Sequence, residues 1–164
     1  MTEKALSEAF AGESMAHMKY LIFAEVADKE GYPNIARLFK ATAFAEFAHA
    51  KNHARNLGYI KQTDGNLETG IDGETFEVDE MYPAHLSTAV LQKEKSAEIA
   101  INYALAAEKI HAAFYKQAKE NVQKGEDMKI DEINICSVCG YTHVGAPPEK
   151  CPVCNAPKNK FRKF

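Results

Sequence analysis

The chain has no basic excess: 20 Lys and Arg stand against 23 Asp and Glu, a formal net charge of −3 at neutral pH. A surface that grips nucleic acid or an anionic bilayer needs a cationic field, so neither class of partner is expected. No apolar run is long enough to span a membrane. The first residues, Met1-Thr2-Glu3-Lys4-Ala5, lack the basic start and apolar stretch of a secretory leader. These absences predict a soluble, cytoplasmic protein. Cysteine is missing from residues 1–135, and all four lie in the last 29 positions, as Cys136-x-x-Cys139 and Cys151-x-x-Cys154. In a cytosolic chain that pattern favours a metal over disulfides. The 164 residues therefore divide into a helical domain (1–125), a polar linker (126–134) and a four-cysteine module (135–164).

What is present is helical periodicity. Residues 3–30 predict a long helix whose inward stripe is Leu6, Phe10, Glu13, His17, Tyr20, Ala24 and Ala27. Gly31 is a stop, and Pro33 suits the first turn of a second helix over 34–57. That helix should present Ile35, Leu38, Thr42, Glu46, His49 and His53, and end at Gly58. Residues 58–73, with Gly65, Gly70 and Gly73, predict a crossover connection. A third helix over 74–91 would show Glu77, Glu80, Ala84, Ser87 and Leu91, with Pro83 kinking it or marking its start. Ser96 would cap a fourth helix over 97–124, with Ile101, Leu105, Glu108, His111, Tyr115, Ala118 and Val122 inward and Gly125 as its stop. The predicted fold is an all-α, ferritin-like four-helix bundle with a small four-cysteine module behind it.

Carboxylates recur at positions where a plain core would be apolar. Glu46-x-x-His49 returns as Glu108-x-x-His111, and residues three apart share one helix face. Glu13 precedes Glu46 by 33 residues, while Glu77 precedes Glu108 by 31 and Glu80 precedes it by 28, which makes Glu77 the nearer counterpart of Glu13. Each unpaired buried carboxylate costs several kcal/mol, and no inward Lys or Arg offsets them. Two divalent cations would, with the two imidazoles completing their coordination. Carboxylate and imidazole donors suit iron or manganese. The four thiolates fit tetrahedral zinc or a single iron.

The residues around Glu13 (Ala9-Phe10-Ala11-Gly12-Glu13-Ser14) and the run Glu77-Val78-Asp79-Glu80-Met81-Tyr82-Pro83 resemble rubrerythrins, as does the order of bundle and cysteine tail. The tail itself resembles rubredoxin, in Cys139-Gly140-Tyr141 and Cys151-Pro152, with Asn155 where a glycine is usual. The resemblance implies an NAD(P)H-linked reductase of hydrogen peroxide. It also implies two carboxylate-bridged irons on Glu13, Glu46, His49, Glu77, Glu80, Glu108 and His111, and a third iron, or zinc, on Cys136, Cys139, Cys151 and Cys154. In such proteins one iron moves between the extra carboxylate and the facing His, here Glu80 and His49. The implied partners are a rubredoxin or a reductase as electron donor and a second copy of the chain, whose bundle the tail would serve.

Tyr20 shares the Glu13 face and is a candidate to hydrogen-bond a ligand. His17 reads as a satisfied interior histidine, and His53, His85 and His143 have weaker claims. Met15 and Met18 read as packing, and Lys158, Lys160, Arg162 and Lys163 as a solvated edge. The alternatives to a peroxide reductase are a ferritin-like ferroxidase with a structural zinc ribbon, or a binding protein that grips a partner through that ribbon.

Overall fold

A computed structural model describes all 164 residues. It is mostly helical with a C-terminal four-cysteine module, and it divides into two compact units, Met1–Lys61 and Gln62–Phe164. No helix is long and apolar enough to cross a membrane.

The first unit is a hairpin of α1 (Thr2–Lys29) and α2 (Pro33–Asn56). Both helices stop as predicted. Gly31 and Gly58 take positive φ, which costs a glycine little. The next residues close each end by donating backward, Tyr32 N–H to the Ala27 carbonyl and Tyr59 N–H to that of Ala54. Small residues line the seam between the helices: Ala24 and Ala27 pack against Ala36, and Ala43, Ala50 and Ala54 are buried further along α2. Alanine lets two helix backbones approach closely. This corrects the start of the predicted α2 stripe, since Ile35 and Leu38 are 47% and 65% exposed, whereas Glu46 and His49 further along it do meet Glu13 of α1. Apolar residues occupy more than one face of α2, and periodicity alone does not say which face meets α1.

The second unit opens with α3 (Thr63–Phe76), which occupies most of the stretch expected to be a crossover loop. Gly65, Gly70 and Gly73 each weaken a helix by about 1 kcal/mol, so their clustering reads as a loop. At Gly70 the helix has a reason for glycine. A Cβ there would stand 3.1 Å from the Tyr115 ring on α5 (Lys95–Gln123). At Gly73 a Cβ would meet nothing within 4 Å. Gly73→Ala is therefore expected to stabilise the metal-free protein by about 0.5–1 kcal/mol. Gly70→Ala should gain less, or lose, because the ring must move. Equal shifts in thermal unfolding would show that the Tyr115 contact carries no cost.

After α3 the chain makes a π turn, Glu77–Met81, and enters α4 (Tyr82–Gln92) with Pro83 in its first turn. Pro83 has no N–H for the carbonyl four residues back and its ring presses on that carbonyl. The wider turn relieves both, so the expected kink is a local widening ahead of the proline. α4 ends on Lys93 in the left-handed region, a stop with no glycine to announce it. α5 starts earlier than expected: Glu94 occupies its N-cap position, and Ser96 lies inside the first turn.

The module is a three-stranded antiparallel sheet in the order β2 (Thr142–Val144), β1 (Ile133–Cys136), β3 (Phe161–Lys163). Ile135 pairs with Thr142 on one side and with Arg162 on the other. β1 begins at Ile133, so the predicted linker already includes its first two residues. Tyr103 of α5 packs against the buried cysteines, so the module rests on a helix of its own chain.

Candidate metal centre

Three clusters of metal-type donors stand in the structure. On the first unit, Glu13, Glu46 and His49 bring one donor atom each to within 4.8 Å of one another. His49 Nδ1 is 2.9 Å from Glu46 Oε2 and 3.8 Å from Glu13 Oε1. On the second unit, Glu74, Glu108 and His111 do the same. His111 Nδ1 is 2.7 Å from Glu108 Oε2 and 3.8 Å from Glu74 Oε1. The two trios are built alike, each from one helix giving a carboxylate and a second giving Glu-x-x-His.

The likeness fixes which carboxylate is the counterpart of Glu13. It is Glu74, 34 residues before Glu108, against the 33 that separate Glu13 from Glu46. Glu74 sits at the rim of the stretch expected to be a loop, and the structure brings it into the trio with Glu108 and His111, where Glu77 was expected. Glu77 stands beside the trio, close enough to feel the charges of Glu108 and His111. Glu80 is not brought there. It is exposed and lines an open groove with Asp79 and Lys116. The π turn is the physical cause: a wider turn rotates residues after Glu77 away from the face that Glu74 and Glu77 share.

Charge in the second trio is unbalanced. Burial, then a hydrogen bond and repulsion from Glu108, then repulsion from Glu77, push Glu74 up to about 7. Burial and the Glu108 charge also raise Glu77, against a smaller opposing pull from His111. Carboxylates this close cannot all ionise without a counter-charge. Burial, reinforced by these same carboxylates, raises Tyr82 and Tyr115 as well, so both phenols keep their protons at neutral pH. Tyr115 was expected on the inward face of its helix, but neither tyrosine was expected as a partner of the carboxylates. Tyr20, which was, lies in an aromatic cluster with Phe23 and Phe39, ring centroids 6.3 and 6.1 Å away. His17 is satisfied by the Ala43 carbonyl at 2.7 Å, as an interior histidine should be.

The third cluster is Cys136, Cys139, Cys151 and Cys154, all free thiols. Two knuckles repeat one hydrogen-bond pattern. Cys136 N–H donates to the Tyr141 carbonyl and Gly140 N–H to that of Cys136; Cys151 N–H donates to Ala156 and Asn155 N–H to Cys151. Asn155 takes the φ of +60° that the second knuckle requires, in the place where Gly140 serves the first. The sulfurs pair at 3.6 Å (Cys136 and Cys154) and 3.5 Å (Cys139 and Cys151). A tetrahedral ion with four sulfurs at about 2.3 Å sets them about 3.8 Å apart, so the spacing fits a metal and not a disulfide. Burial pushes the Cys139 thiol up. At Cys151 burial acts the same way, but the Cys154 and Val153 amides, together with hydrogen bonds to the Cys139 and Cys154 thiols, outweigh it and lower the thiol.

All three donor sets fit the metals their chemistry suggests: carboxylate with imidazole in the trios, thiolate alone in the module. Comparison with known proteins agrees. Residues 4–119 match the family model described as rubrerythrin, and residues 135–162 match the rubrerythrin rubredoxin-like domain. The chain is 44% identical to rubrerythrin-2 of Clostridium acetobutylicum, over 100% of this chain and 97% of that protein. It is 38% identical to nigerythrin of Nitratidesulfovibrio vulgaris, over 99% of this chain and 86% of that protein. A solved structure of nigerythrin in its fully reduced, all-ferrous state superposes with a TM-score of 0.57 at 34% identity, covering 100% of this chain and 87% of the other.

Proposed function

This chain belongs to the rubrerythrin family, and on that premise we propose that it reduces hydrogen peroxide to water at a carboxylate-held iron pair. The family carries a di-iron site and a rubredoxin-like iron, and both kinds of ligand group are present in this chain. The ligands we propose are Glu13, Glu46 and His49 from the first unit and Glu74, Glu77, Glu108 and His111 from the second. Glu74 takes the place expected of Glu77, and Glu77 that expected of Glu80.

The reaction consumes one peroxide, two electrons and two protons and yields two waters. Two bound ferrous ions can supply one electron each. The chain's own residues do the rest. The Glu-x-x-His pairs orient their imidazoles by the short Nδ1–carboxylate contacts. Glu74, held near neutral pKa by its neighbours, gives up its proton when a cation takes its place among them. Tyr82 and Tyr115 stay neutral beside the carboxylates and can donate hydrogen bonds that an ionised phenol could not.

One observation carries the choice of a reductase over iron storage: a four-thiolate centre sits on the same helix, α5, that bears Glu108 and His111. A storage protein has no use for a dedicated one-electron donor. We take the electrons to come from a rubredoxin or an NAD(P)H-dependent reductase. The setting is the cytoplasm, where thiols stay reduced, and the protein works as at least a dimer. The test is to mix anaerobic ferrous protein separately with peroxide and with oxygen in a stopped-flow instrument. Peroxide should oxidise the iron pair at stoichiometric concentration and much faster than oxygen does. Faster oxidation by oxygen, with iron released afterwards, would assign the protein to ferroxidase chemistry instead.

A further inference from the structure

We propose that Thr142, in the four-cysteine module, is the positioning residue that fixes which nitrogen of His111 faces the carboxylates. Thr142 is buried, 5% exposed, and its Oγ1 lies 2.7 Å from His111 Nε2. The other imidazole nitrogen, Nδ1, faces Glu108 and Glu74. The same hydroxyl lies 3.3 Å from the Gly140 carbonyl, to which it can donate.

A hydroxyl both donates and accepts, and this site uses both abilities. With a cation held at Nδ1, the neutral imidazole carries its only proton on Nε2. Nε2–H then donates to Thr142 Oγ1, whose own hydrogen turns to the Gly140 carbonyl. Without a cation, Nδ1–H donates to Glu108 and Nε2 accepts from the Thr142 hydroxyl. A carboxylate in place of Thr142 would serve only the first state. A valine would leave Nε2–H without an acceptor in a partly buried place, which disfavours the metal-bound state.

The hydroxyl is held in place from both sides. Thr142 pairs with Ile135 across β1 and β2, and it follows the Cys139-Gly140 knuckle by two residues. Gly140 itself rests on α5, where an added Cβ would stand 3.9 Å from that of Ala107. The bond also lies at the wall of a cavity of about 370 Å³ lined by Phe114, Tyr115, Met128 and Ile133, which are mostly apolar neighbours. The cysteine knuckle and the His111 ring are therefore held in register within one chain. In the first unit, His49 is 54% exposed against 29% for His111.

This inference rests on the Glu74 trio holding a metal, and the test separates the two ideas. Full-length protein, T142V and T142S are labelled with ¹⁵N at histidine and titrated with zinc(II), a diamagnetic probe. In the unaltered protein and T142S, His111 Nδ1 should show a zinc-induced shift while Nε2–H exchanges slowly with solvent. In T142V, which is nearly isosteric, Nε2–H should exchange at least about tenfold faster. Zinc affinity read at His111 should fall about 10–100-fold, as expected for an outer-shell partner. T142V with slow exchange and full affinity would overturn the role of Thr142, as would failure of T142S to restore both. Absence of any zinc shift at His111 in the unaltered protein would instead overturn the metal-binding role of the trio.

Discussion

Glu74→Gln is expected to empty the second trio of metal, and Glu80→Gln to leave it loaded. Once a cation holds Glu74 ionised, both substitutions remove one negative charge from the run Glu74-x-x-Glu77-x-x-Glu80, so net charge cannot separate them. Position can. Glu74 brings a donor atom to within 4.8 Å of those of Glu108 and His111, while Glu80 is exposed within the π turn. Loss of an outer-shell partner already costs about 10–100-fold in metal affinity, and loss of a ligand should cost at least the upper end. Peroxide turnover should follow occupancy and fall by about 100-fold or more on the same basis. Glutamine keeps the size of the side chain and removes the carboxylate that burial and the charges of Glu108 and Glu77 disfavour in its ionised form. The metal-free Glu74→Gln protein should therefore be no less stable than its parent. Metal analysis after dialysis, with calorimetry of the stripped protein, checks both parts. Iron retained in Glu74→Gln but lost in Glu80→Gln would put the ligand register three residues further along.

Glu74 in the trio, three residues before the expected Glu77, marks where local sequence signals stop. The long helices α1, α2 and α5, their glycine stops and the doubled Glu-x-x-His were legible because periodicity and left-handed caps are local signals. The cysteine knuckles were legible down to the tolerance of Asn155 for positive φ. The start of α3 was not, because three helix-weakening glycines outweighed its pattern, and the ring of Tyr115 that explains Gly70 is 45 residues away. Spacing alone could have favoured Glu74, since 34 lies closer to 33 than 31 does. The π turn could not be read, because its cause, Pro83, also permits a simple helix start. Nor could the alanine seam of the first unit, since small residues give little hydrophobic signal even where they bring two helices together. Thr142 was out of reach altogether: its meaning depends on one contact across 31 residues.

Cys139→Ser is expected to separate oxidation of the bundle from its repeated reduction. Cys139 is 7% exposed and its sulfur lies 3.5 Å from that of Cys151. Serine there offers a hydroxyl that does not ionise near neutral pH, so the four-sulfur set loses a ligand and the iron–thiolate absorption should bleach or shift. A single mixing with peroxide should still oxidise the bundle iron at close to the parent rate, since Glu13, Glu74 and their partners are untouched. Turnover fed through a protein donor should collapse. Two causes could produce that collapse, because the altered knuckle lies beside Gly140 and Thr142: loss of the electron relay, or release of His111 from its hydroxyl partner. A small diffusible reductant distinguishes them. If it restores turnover, the ligands are intact and the module is the relay. If it does not, and the Nε2–H of His111 exchanges freely, the module's hold on His111 is what the reaction needs. Unchanged turnover with the protein donor would remove the four-cysteine centre from the electron path, and with it the feature that distinguishes a peroxide reductase from an iron store.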